Sequence, residues 1–184
     1  METLRTTVEA LDNASKGWTP AEFEKKFGID GEPPLEVNLG DEIIRLRGII
    51  DRVDRNEHGQ LRVIDYKTGG RHLTPKDLQR GTRLQLPIYA LAAQDALKLG
   101  IVEEGLYWKI KDAEAGSLKL SKFSSDDSEG VDAAIKVANE HLRRIVSGIR
   151  AGQFPPIPPK GGCPSYCPAI SWCWRYEPGF GGGQ

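Results

Sequence analysis

Val63-Ile64-Asp65-Tyr66-Lys67-Thr68-Gly69 ends an apolar, β-branched run that begins at Leu61. Its reading decides what kind of fold the chain adopts. Side chains on a strand alternate between faces, so Leu61, Val63, Asp65 and Lys67 share one face, with Asp65 and Lys67 about 7 Å apart at their Cα atoms. The run before it, Ile43–Val53, contains Arg47-Gly48-Ile49-Ile50-Asp51-Arg52-Val53-Asp54. Turn-formers Asn56, His58 and Gly59 separate the two runs, as a hairpin requires. If that hairpin turns symmetrically about His58, Val53 faces Val63 and Asp51 faces Asp65. Their Cβ atoms are then roughly 5 Å apart.

Two carboxylates that close repel unless a positive charge lies between them. A hard divalent cation, Mg²⁺ or Mn²⁺, fits, because it takes oxygen ligands and keeps several waters. Lys67 adds a second positive charge, suited to orienting a metal-bound water and to stabilising charge that builds on a phosphate. The plain alternative is a surface pair of aspartates with Lys67 as ion-pair partner. Aspartate is disfavoured in strands, though, and both sit at the ends of apolar runs, which favours the metal reading.

Outward from this hairpin, Leu35–Leu39 and the two runs above suggest a three-stranded antiparallel meander. Glu2–Asp12 has the spacing of a helix, and Thr19-Pro20 with Glu22 reads as the cap of a second short helix reaching Phe27. Pro75 opens a short helix, and Arg83–Gly100 reads as a longer one stopped at Gly100. Val102–Lys111 and Ser117–Phe123 are expected strands, and Val131–Ile149 a long amphipathic helix. Pro155, Pro156, Pro158 and Pro159 then form a stiff connector to Cys163, Cys167 and Cys173.

The chain has 184 residues, 39% hydrophobic, enough for one ordinary core. We expect a core over 1–153, a connector with the cysteines over 154–178 and a disordered glycine-rich tail over 179–184. No run is long and apolar enough to span a bilayer and the N-terminus has no apolar signal region, so the expected address is cytoplasmic, with no membrane partner. The net charge of −1 lends no support to nucleic-acid binding, which usually goes with a basic chain. One local stretch is basic: Lys67, Arg71, His72, Lys76, Arg80 and Arg83. Such a stretch can equally be a solvated loop and helix face. Three clustered cysteines, an odd number, argue for metal or cluster ligation over a disulfide framework.

These blocks, together with Gln85-Leu86-Pro87-Ile88-Tyr89, resemble the PD-(D/E)XK nuclease superfamily, and within it the nuclease domains of the RecB and AddB recombination proteins and related CRISPR adaptation nucleases. The likeness covers roughly Leu35 to Cys173. It implies a restriction-endonuclease-like α/β core, a central mixed β-sheet flanked by helices. It implies metal-dependent hydrolysis of DNA, in end processing for recombinational repair or CRISPR adaptation, beside a helicase or other subunit. Asp51, Asp65 and the Tyr66 carbonyl would ligate the metal, Lys67 would be the catalytic lysine, and Gln85 and Tyr89, one helical turn apart, would support the site. Arg71, Lys76, Arg80 and Arg83 would line the approach of DNA.

Cys163, Cys167 and Cys173 resemble the C-terminal motif that holds a four-iron, four-sulfur cluster in the iron–sulfur members of this group. Such a cluster takes four ligands, and the family's upstream cysteine is absent, so the cluster is expected to be incomplete or missing here. A Cys₃His zinc site using His141 is the alternative. The family's histidine before the first strand is also absent from residues 1–41. Both departures imply the C-terminal part of a longer nuclease, or descent from one that lost its front. Two rival functions stand beside the nuclease: a non-catalytic DNA-binding scaffold of a helicase–nuclease complex, and a cysteine-cluster interaction domain.

Overall fold

The computed structural model describes residues 2–40, 42–69, 73–158 and 161–180. The chain divides into two compact units, Met1–Arg143 and Arg144–Gln184. In the first, five strands form one mixed sheet in the order β1-β4-β5-β6-β7. They are β1 (Trp18–Phe27), β4 (Gly48–Asn56), β5 (Leu61–Lys67), β6 (Val102–Lys109) and β7 (Glu114–Lys119). The β5–β6 pair is parallel and the others antiparallel. A parallel pair needs a crossover, which α2 (Pro75–Gln79) and α3 (Gln85–Leu91) supply. This is the mixed sheet flanked by helices that the resemblance implies.

The two faces of the sheet carry different cargo because side chains alternate. On one face Ile64, Leu106 and Trp108 form a buried cluster, and Ala10 and Leu11 of α1 (Glu2–Ala14) pack on it. The Trp108 indole donates to Thr7 Oγ1 at 2.9 Å, pinning α1 there. The other face presents Val53, Val63 and Asp65, all buried, in line with the α3 segment whose Leu86 and Ala90 are fully buried.

On the α1 face Asp54 is completely buried between Arg52 and Arg62. Arg52 is bidentate to it, and Arg62 also reaches Ser15 Oγ at 2.7 Å and the Ala14 carbonyl at 3.3 Å. The Arg62 guanidinium lies 5.0 Å over the Trp18 ring. The end of α1, β1, β4 and β5 are thus tied by one buried charge cluster.

Several expected elements differ. Trp18–Phe27 is a strand, β1, not a helix. The Thr19-Pro20 cap signal loses to pairing with β4, and Pro20 is tolerated because it lies on an edge strand at an irregularity in register, between Pro20 and Glu22. The Ile43–Val53 run is two strands. β3 (Ile43–Leu46) pairs only with β2 (Leu35–Asn38) in a separate hairpin, so the three-stranded meander does not form. The break falls at Arg47; Gly48 already opens β4 paired with Phe27, and an added Cβ there would sit 2.8 Å from Phe27 Cζ.

The Arg83–Gly100 helix is shorter at both ends and closes in a π-helical turn over Ala92–Ala96. The strand expected over Ser117–Phe123 starts earlier, as β7, and gives way to a 3₁₀ turn at Leu120–Lys122. The last helix, α4 (Gly130–Arg150), is as expected.

In the second unit, Cys163–Pro164 pairs in parallel with Pro178–Phe180, which takes in the first two residues of the expected glycine-rich tail. Residues 181–184 of that tail, Asp41, Arg71 and His72 lie outside the described residues. Among the described residues no helix is long and apolar enough to cross a membrane.

Candidate active site

β4 and β5 pair in the register Val53↔Val63 and Arg52↔Ile64, the one expected from symmetry about His58. Continued one step, it brings Asp51 to Asp65. There the strands cease to pair, and the Asp51 carboxylate itself accepts the Tyr66 backbone N–H at 2.8 Å. This bond fixes the Asp51 side chain and satisfies a donor that the ladder has released.

Asp65 is almost wholly buried, its side chain 1% exposed. Lys67 Nζ stands 2.6 Å from Asp65 Oδ2, a contact ion pair. Burial pushes the Asp65 carboxyl above the usual aspartate range; Lys67 opposes the shift and the Asp51 charge adds to it. The two carboxylates therefore feel each other, as two ligands of one cation would.

Lys67 Nζ also donates to Gln85 Oε1 at 3.0 Å, and Gln85 Nε2 donates to the Tyr89 hydroxyl at 2.9 Å. Gln85 opens α3 and Tyr89 is one turn on, so one helix face presents both to Lys67. Phe27 meets the Tyr89 ring edge-on, centroids 6.2 Å apart. Burial raises the Tyr89 hydroxyl above its ordinary value, and the charges of Asp65 and Asp51 add to the rise. It remains a neutral donor.

The structure thus places Asp51, Asp65, Tyr66, Lys67, Gln85 and Tyr89 in one locus. Of the expected DNA contacts, Arg83 lines a cleft that includes Lys67, while exposed Lys76 and Arg80 do not. Arg71 lies outside the described residues. Tyr107 was not singled out from sequence. It is Asp65's neighbour across the parallel β5–β6 pair, and Lys67 Nζ sits 5.2 Å over its ring. No local sequence signal announces it, because only the parallel register makes it a neighbour.

Among the described residues, no three His, Cys, Asp or Glu side chains gather as a metal-holding group. Among the described residues no third carboxylate or histidine joins Asp51 and Asp65, and Cys163, Cys167 and Cys173 form no such group. All three are free thiols, Cys163 buried and the other two half-buried. His141 is engaged elsewhere, its Nε2 2.9 Å from the Gln79 carbonyl. The residues do fit a divalent cation in one respect: a buried carboxylate beside a second, oriented carboxylate is an oxygen donor set of the kind a hard cation takes.

A sequence profile of the PD-(D/E)XK nuclease superfamily matches residues 1–174, and the chain belongs to that superfamily. Its similar relatives include an ATP-dependent helicase/deoxyribonuclease subunit of Clostridioides difficile, 32% identical over 146 residues, covering 73% of this chain and 12% of that protein. The protein of the same name from Symbiobacterium thermophilum is 43% identical over 100 residues, 48% of this chain and 9% of that protein. The one from Moorella thermoacetica is 38% identical over 102 residues, 52% of this chain and 9% of that protein. The chain therefore spans about a tenth of the length of these relatives.

Proposed function

We propose that this protein is a metal-dependent deoxyribonuclease module that hydrolyses DNA phosphodiester bonds, in the manner of an exonuclease processing ends for recombinational repair. The observation that carries the reading is the buried Asp65 carboxylate, set beside Asp51 and Lys67. The carboxylates of Asp51 and Asp65, with the Tyr66 carbonyl, would hold Mg²⁺ or Mn²⁺. When bound, such an ion polarises a phosphoryl oxygen and lowers the pKa of a coordinated water.

The chain's own residues have distinct tasks. The Tyr66 N–H holds the Asp51 carboxylate in one orientation. Lys67 brings its ammonium to the reacting phosphate, where negative charge builds as the bond to the attacking oxygen forms. Gln85, itself held by Tyr89, gives the Lys67 ammonium a second fixed partner beside Asp65. The partners that the relatives' name suggests, a helicase-bearing assembly and DNA, would extend to this chain in the same way.

One observation favours a second reading, a DNA-binding scaffold that cuts weakly: no third acidic or histidine side chain joins Asp51 and Asp65 among the described residues. The test is cleavage of end-labelled DNA with Mg²⁺ or Mn²⁺ by the protein and by Lys67→Met. Metal-dependent cutting lost in the variant, with DNA binding retained, is the expected result. Binding without cutting by the parent protein would establish the scaffold.

A further inference from the structure

His141 drew notice in the sequence as a zinc ligand, a role the fold does not give it. It lies on α4, three residues from Ala138 and next to Leu142, both buried. What it touches is 62 residues away: its Nε2 is 2.9 Å from the Gln79 carbonyl, at the end of α2. A carbonyl only accepts, so Nε2 carries the hydrogen. The ring also closes on Gly81. A Cβ at that position would collide with the imidazole, 2.6 Å from its Cγ, and Gly81 has a φ of +73°, which favours glycine.

What His141 holds is the turn that delivers Gln85. Residues 80–84 join α2 to α3, and the first three are bonded back onto α2. The Arg80 N–H donates to the Lys76 carbonyl and the Gly81 N–H to that of Leu78. Thr82 donates both its N–H and its hydroxyl to the Asp77 carbonyl. Asp77 is buried, and its carboxylate accepts from the N–H and hydroxyl of Thr74. Only Arg83 and Leu84 separate this tied block from Gln85.

The start of α3 has little else to order it. Its N-cap residue, Leu84, makes no side-chain cap bond, and a helix of seven residues frays where its first N–H groups lack partners. Burial of Leu86 and Ala90 seats the helix. The direction of its first turn, from which Gln85 Oε1 accepts from Lys67 Nζ at 3.0 Å, is set by the turn before it.

We infer that His141 is a positioning residue: from α4 it clamps the α2–α3 turn and, through that turn, sets where Gln85 meets Lys67. It acts through Gln85 rather than on the phosphate. The inference rests on the nuclease reading only in taking Lys67 as the group whose placement governs cleavage. The placement of Gln85 itself is read without metal or DNA.

The test uses the full chain, free of divalent metal. NMR follows the Gln85 side-chain amide, identified by its loss in Gln85→Leu. The Trp108 indole N–H, bonded to Thr7 on the other face of the sheet, is the control. His141→Leu keeps an apolar body and cannot donate; it should shift or broaden the Gln85 amide and leave the Trp108 signal in place. His141→Gln, whose amide nitrogen can reach the same carbonyl, should restore the parent signal. Gly81→Ala, which drives the ring off the turn while leaving His141 in place, should move the Gln85 amide as His141→Leu does. In Mg²⁺-dependent cleavage His141→Leu should lower kcat about tenfold at nearly constant KM, within the roughly hundredfold that a misplacement of about 1 Å can cost, and His141→Gln should recover it.

A Gln85 amide unmoved in both His141→Leu and Gly81→Ala overturns the clamp even if the protein cuts DNA. A Trp108 signal that moves with that of Gln85 in both variants, the mark of a general loss of structure, also overturns it, as does a Gln85 signal that His141→Gln fails to restore. A Gln85 shift in His141→Leu, restored in His141→Gln, by a protein that cuts nothing would sustain the clamp and remove the nuclease reading.

Discussion

Replacing Asp54 by alanine should destabilise the protein by about 3–4 kcal/mol, near the lower end of what breaking a buried ion pair costs. The side chain is fully buried and receives four hydrogen bonds from two guanidiniums, whose side chains are only 10% and 5% exposed. Without it, Arg62 keeps Ser15, the Ala14 carbonyl and the face of Trp18. Arg52 keeps far less, a 3.4 Å contact with the Tyr66 hydroxyl and a distant Phe23 ring at 5.9 Å. The stranded Arg52 charge therefore carries most of the cost. A domain of this size has only about 5–15 kcal/mol to lose, so the variant should be marginal at room temperature.

Urea unfolding followed by tryptophan fluorescence and circular dichroism reads the change. The diagnostic comparison is Asp54→Leu with and without Arg52→Met. Removing the stranded charge should recover part of the loss, because the penalty lies in the uncompensated charge rather than in the lost pair. A loss below about 1 kcal/mol for Asp54→Ala, or a double variant no more stable than Asp54→Leu, would refute the reasoning. Asp54 is three residues from Asp51 and so faces the opposite side of the sheet. Mn²⁺ binding by whatever protein remains folded should be unchanged.

Gly48→Ala should cost about 1–3 kcal/mol by pushing the Phe27 ring from a 2.8 Å clash and loosening its contact with Tyr89; Phe27→Leu in the same chain should restore stability, read by thermal melting. Because burial raises the Asp65 carboxyl above its ordinary value, the metal-free fold binds this proton more readily than the unfolded chain does. Its contribution to stability is thus present below the unfolded value and lost as pH rises through the folded one. Mn²⁺ needs the carboxylate, so it should raise the melting temperature more at neutral pH than at mildly acidic pH, and Asp65→Asn should abolish that difference. Gln85→Leu should leave the fold intact and lower kcat more than KM, since it removes one of the two partners that fix the Lys67 ammonium and leaves only Asp65; an unchanged kcat would remove Gln85 from the site.

Much of the candidate site was legible in the residues themselves, because two short-range periodicities carry it. Period-two alternation with a hairpin symmetric about His58 placed Asp51 and Asp65 on one face, and the i, i+4 spacing placed Gln85 and Tyr89 on one helix face. Both are local rules, settled within a few residues. What failed was decided at long range. Thr19-Pro20 carries a sound helix-start signal, yet Trp18–Phe27 is a strand because β4 has an edge to pair and the chain can reach it. The apolar run Ile43–Val53 gives no hint of its break at Arg47, after which Gly48 opens β4 by pairing with Phe27, some twenty residues away. Tyr107 joins Asp65 and Lys67 only through a parallel pairing across a crossover of more than thirty residues, and Arg52, Asp54 and Arg62 look like ordinary surface charges until α1 and β1 cover them. Sequence alone determined which side chains share an element's face; the tertiary structure decided which faces meet, because that choice is made by burial summed over the whole core rather than by any residue's neighbours in the chain.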